Sequence, residues 1–285
     1  MKSLSQHIKE EFNFRINRDS AKNVYNYFPK TKDELKQIIQ HHYKNNTYDL
    51  NDIDVSQITD FSEIFVMDEK TGNPKFDISK WNVSNGKTFE AMFYECKNFN
   101  CDLSNWDVSN GEDFANMFYE CFMFNCDLSQ WDVSKGTNFK WMFTGCKNFN
   151  CDLSNWDVSK GENFSYMFHE CYNFNCDLSN WNVGIGKDFG SMFYECINFN
   201  CDLSNWNVSK GLFFDLMFYK CRKFNSDLSN WDVSNGKNFT KMFQCCRNFN
   251  SDLSNWNVSK GIDFESMFDN CPIKSEFKPK YKRIK

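Results

Sequence analysis

Tryptophan returns every 25 residues, at Trp81, Trp106, Trp131, Trp156, Trp181, Trp206, Trp231 and Trp256, without a slip. A fixed period of this length means a repeat architecture, in which no unit buries its apolar face alone and each depends on its neighbours. Phe89 through Phe264, Met92 through Met267 with the Phe after each, and Cys96 through Cys271 keep the same beat. Eight copies are nearly perfect, and a worn ninth precedes them: Val55, Phe61, Ile64 and Phe65 stand at the offsets of Val83, Phe89, Met92 and Phe93, with Ile53 in the Trp place. The chain divides accordingly into an N-terminal helical cap at 1–50, a degenerate first repeat at 51–75, eight 25-residue repeats at 76–271 and a basic C-terminal tail at 272–285.

Inside a unit the periodicity changes once. Phe114, Met117, Phe118 and Cys121 stand at i, i+3, i+4 and i+7, the stripe of an amphipathic helix, and Ser109 with Glu112 reads as its capping box. Trp106 and Val108 alternate with polar residues, the period of a short strand. The unit therefore predicts strand, turn, helix and return loop, and the chain an α/β solenoid, a leucine-rich-repeat-like array of about nine coils. Ahead of the array, helices are expected near 4–12 and over 32–44, the second opened by Thr31 and Glu34.

The units resemble a known family. DLSNWDVSNGEDFANMFYECFMFN and its sisters are similar to the BspA-like bacterial surface protein 26-residue repeat, in which Trp-[Asp/Asn]-Val-Ser is followed by Met-Phe and Phe-Asn pairs. That resemblance spans roughly residues 31–281. It implies a leucine-rich-repeat-like fold and a surface, adhesion or host-interaction role. Two features depart from it. Gly86 through Gly261 precede a Phe where that family generally has Met, the larger ring filling the space of a missing Val, and the N-terminus lacks an apolar signal region.

Repeated residues form columns, and the columns read as structure. Cys96 to Cys271 belong to the apolar stripe. Cys101, Cys126, Cys151, Cys176 and Cys201 give way to Ser226 and Ser251, which argues against an obligatory disulfide or metal ligand. With no signal segment, both columns are expected to be reduced packing thiols. Asp77 through Asp252 are expected to cap turns, and Asn100 through Asn250 to form an amide ladder. Catalysis finds no support: the four His occupy no repeated place, and P-loop, GxGxxG and GxSxG motifs are absent. Neither a cofactor nor a metal is expected. A net charge of −5 gives no nucleic-acid-seeking surface, and no run of about 18 apolar residues offers a membrane span. Cytoplasmic or particle-associated placement is favoured over classical secretion.

The copies differ mainly on the outer side of the expected helix. There Tyr94, Tyr119, Trp141, Tyr166, His169, Tyr194 and Tyr219 supply aromatic anchors suited to a partner. These observations lead to a non-catalytic repeat protein mediating protein–protein or adhesion-type interaction. The alternative is a structural, self-associating array in a particle or surface layer. A glycan partner would instead meet the polar lattice of Ser104, Asn105 and Asp107.

Overall fold

The computed structural model describes residues 25–65 and 75–281. The helix expected near 4–12 and the last four residues of the tail lie outside them. Helix α1, Lys32–Lys44, forms as the sequence indicates: Thr31 accepts the Glu34 amide at its N-terminus, and Glu34 reaches back to the Lys30 amide. Leu35, Ile38 and Ile39 are buried on the face toward the array. Lys32 ties α1 to the first coil through Asp60 and the Ser62 hydroxyl.

The rest of the array corrects the expected fold. Among the described residues, α1 and a 3-10 turn at Ser275–Phe277 are the helical elements, and extended pairing is confined to isolated parallel bridges. The chain is therefore not a strand-turn-helix α/β solenoid, nor leucine-rich-repeat-like in its elements. Each 25-residue coil is a string of tight turns. One bridge residue per coil links it to the next, from Asp60 through Thr88, Asp113 and Asn138 to Asp263.

The stretch read as a helix shows why. The amides of Phe114, Asn116, Phe118 and Glu120 donate across to the carbonyls of Asn138, Lys140, Met142 and Thr144 in the next coil, at 2.7–3.0 Å. The amides between them, on Met117, Tyr119 and Cys121, close local turns on Phe114, Asn116 and Phe118. Local and inter-coil bonds thus alternate, and every backbone donor of the segment is satisfied. The alternation needs left-handed residues at Asn116 and Glu120, with φ of 56° and 53°, and the same two places recur along the array, with Gly145 at one of them. Ser109 and Glu112 consequently cap nothing. The Ser109 amide turns to Asp107, and that of Glu112 to the carbonyl of Lys87 in the previous coil. The strand expected at Trp106–Val108 is likewise a pair of turns, closed by Trp106 on Leu103 and by Gly111 on Val108.

Spacing decides between the two forms. Phe rings of the column from Phe93 to Phe268 recur at 5.3–5.7 Å between centroids. Packed helices stand about 8–10 Å apart, so one helix per coil would pull these ladders open. The turn-based segment keeps the rings in contact and hands alternate amides to the next coil.

The core is a bundle of such ladders. Trp106 to Trp256 stack at 6.3–6.5 Å with planes within 2° of parallel. Each indole also donates to a carbonyl of the coil before it, as Trp156 does to Leu128 at 2.9 Å. Buried Cys121 donates its thiol to the Phe93 carbonyl at 3.0 Å, and Cys146 through Cys246 repeat the bond. Burial pushes these thiols above their ordinary range, so they stay protonated donors. At the glycine column the space is taken by the ring three residues on: a Cβ on Gly111 would lie 2.4 Å from Phe114 Cζ.

Candidate functional site

The seven aromatic residues singled out on the sequence come together as one stack along the flank of the array. Tyr94 lies on Tyr119 at 4.6 Å, Tyr119 meets Trp141 at 5.7 Å, and Trp141 lies on Tyr166 at 4.4 Å. Tyr166 meets His169 at 5.5 Å, His169 lies on Tyr194 at 4.3 Å, and Tyr194 on Tyr219 at 4.7 Å. All seven are half-buried, whereas the Phe and Trp ladders inside are closed to solvent.

Two columns build this ridge. Tyr94, Tyr119, His169, Tyr194 and Tyr219 share one place in the repeat. Where that column carries Thr144 instead, Trp141, three residues before Thr144, and Tyr166, three before His169, bridge the gap. Their backbones are left-handed, with φ of 62° and 58°, as this place is in every coil. Thr144 turns inward and donates to the Tyr166 carbonyl at 2.7 Å.

The chemistry of the ridge is that of neutral hydrogen-bonding edges. Burial, followed by the nearby glutamates, raises the phenols of Tyr94, Tyr119 and Tyr194, so they remain donors. Burial lowers His169 below its ordinary range against the opposing pull of Glu170 and Glu195, which favours the neutral ring. Its Nδ1 is buried and has no partner among the described residues. Lys220 closes the stack over Tyr219 at 5.0 Å while pairing with Glu195 at 2.6 Å. Beside the ridge runs a second line that sequence reasoning missed: Lys147 lies 4.5 Å from the Phe122 ring and 5.9 Å from that of Tyr172, and Lys97 is 5.6 Å from Phe122. The signal was an aromatic–lysine alternation three residues after the Tyr column.

The monotonous Asp, Cys and Asn columns are held by short polar bonds. Asp102 accepts the Ser104 amide at 2.9 Å, and every Asp of the column repeats this turn. These bonds hold the Asp102 carboxyl below its ordinary value. The second Cys column is more than packing: Cys126 accepts the Leu103 amide at 3.0 Å, and Ser226 accepts that of Leu203 at 2.8 Å. Serine replaces cysteine there because a hydroxyl does the same work. The Asn ladder is exposed, each side-chain oxygen taking the backbone amide of the next Asn, as Asn100 does from Asn125 at 2.9 Å. Among the described residues no group of three His, Cys, Asp or Glu is placed to hold a metal ion. No described helix is long and apolar enough to cross a membrane.

A family model described as "Mycoplasma protein of unknown function, DUF285" matches residues 33–144, 127–213 and 185–280. The chain belongs to that family. The three overlapping matches of the DUF285 model follow the repeat, from α1 to the tail. The likeness to the BspA-like repeat remains one of residues, since the model that matches is DUF285. No curated protein and no solved structure matches the chain. The aromatic ridge thus lies wholly within the matched DUF285 segments.

Proposed function

We propose that this DUF285 array is a non-catalytic recognition protein whose aromatic ridge docks a protein partner. The observation that supports it is the continuity of the ridge. Aromatic residues from six successive coils line up although the column they share is broken at Thr144. Tyr and Trp anchors with a polar rim are residues on which interface energy concentrates. The geometry favours a protein over a glycan. The ring faces are spent on one another, so the ridge offers edges and hydroxyls, whereas sugars stack on open aromatic faces.

The test replaces Trp141 and Tyr166 with Asn, which the same left-handed place already carries at Asn116. Capture of the partner from the native cell should fall at least about tenfold, with the melting temperature within a few degrees of wild type. Undiminished capture would refute the ridge. Concentration-dependent polymers of the pure protein, with no partner, would favour the structural array.

A further inference from the structure

The stack is polar along its length. In the segment from Phe114 to Glu120 and its counterparts the cross-coil amides donate toward the C-terminal end, whereas one amide per coil, as Glu112 to Lys87, and those of the Asn ladder donate back toward the N-terminal end. At the N-terminal end α1 closes the core, leaving Phe61 and Phe65 fully buried. The C-terminal end is closed on one half only. There the Leu253 amide meets the Phe277 carbonyl at 2.8 Å, the Lys274 amide continues the Asn ladder onto Asn250 at 3.1 Å, and Ile273 is buried.

On the other half Met267 and Phe268 are buried, but the backbone edge is unpaired. The amides of Phe239, Lys241, Phe243 and Cys245 all donate to the last coil, but the corresponding Phe264, Ser266, Phe268 and Asn270 amides find no acceptor among the described residues. Tyr281 lies on Phe264 at 4.2 Å, where a further coil would place a Phe, and Lys278 reaches over Phe268 at 5.6 Å. Between them runs a groove of about 560 Å³. Ile262 on its wall is 68% exposed.

We propose that this end is an assembly edge that accepts one further coil of the same repeat, supplied by another protein chain. It is independent of the aromatic ridge. The occupant follows from the interfaces already inside the array: carbonyls on alternate residues must face Ser266, Phe268 and Asn270, and an aromatic ring must take the place of Lys278 over Phe268, as Phe268 lies on Phe243 at 5.7 Å. A second copy of this chain fits in neither direction. Tail to tail sets donor amides against donor amides, and head to tail meets α1.

The test titrates the full-length protein with a synthetic peptide of residues 101–125, following amide exchange by NMR. The proposal expects saturable one-to-one binding and at least about tenfold slower exchange at Ser266, Phe268 and Asn270. A peptide with both Phe114 and Phe118 replaced by Ser should give neither effect. Tyr281→Ala, which uncovers Phe264, should tighten binding severalfold. Unprotected amides at about 1 mM peptide would overturn the proposal. So would protection of the same amides by self-association of the protein alone.

Discussion

Replacing Trp156 with alanine is expected to cost about 3–5 kcal/mol of unfolding free energy, the range for a fully packed aromatic residue. Trp156 is 3% exposed and lies between Trp131 and Trp181, each 6.4 Å away. It also faces Phe139 at 6.5 Å and Phe143 at 6.2 Å, so the loss opens three ladders at once. The Leu128 carbonyl loses its indole donor as well, and leaving such a group unsatisfied costs about 1–3 kcal/mol when water cannot reach it. In a one-dimensional array the damage falls on two nearest-neighbour interfaces. Denaturant unfolding should therefore show a lower midpoint and, when the halves uncouple, a second transition. A loss below about 1 kcal/mol would mean that the Trp ladder is not the core described.

Gly161→Ala is the second large effect, and it acts by crowding. An added methyl carbon would sit 2.2 Å from Phe164 Cζ and about as close as 2.9 Å to the next ring atom. Phe164 cannot move aside, being fully buried between Phe139 and Phe189 at 5.7 Å on either side. Overpacking of this kind costs about 1–3 kcal/mol. The double variant Gly161→Ala with Phe164→Leu should then lose clearly less than the sum of the two single losses, because the smaller side chain frees the space the methyl needs. Additive losses in thermal unfolding would contradict the contact.

These two positions show how far the sequence could be read. The period of 25, the buried columns, the ring that fills the glycine space and the Thr31 cap of α1 were legible as spacing. The helix was not. Phe114, Met117, Phe118 and Cys121 at i, i+3, i+4 and i+7 suit a helix, but a run of three-residue turns sets the same residues on the same side. What separates the two is where Asn116 and Glu120 send their amides, and that depends on the coil 25 residues away. One local cue pointed the right way: Asn, Phe, Tyr and Cys, which crowd this segment, are weak helix formers. The ridge was legible as a set of residues, but its continuity was not. That needed Trp141 and Tyr166, at a place left-handed in every coil, to stack beside the Tyr column. The role of the second Cys column as an acceptor was visible only as a swap to Ser226 and Ser251, whose hydroxyls take the Leu203 and Leu228 amides.

The central claim is that each coil is bonded to the next through alternate amides and does not coil on itself as a helix. Through-hydrogen-bond scalar coupling in the labelled protein tests it at one atom pair. The Phe168 amide nitrogen should couple to the carbonyl carbon of Met192, whose oxygen lies 2.9 Å away in the following coil. Coupling of that amide to Phe164, the i−4 partner of an α-helix, would contradict the account.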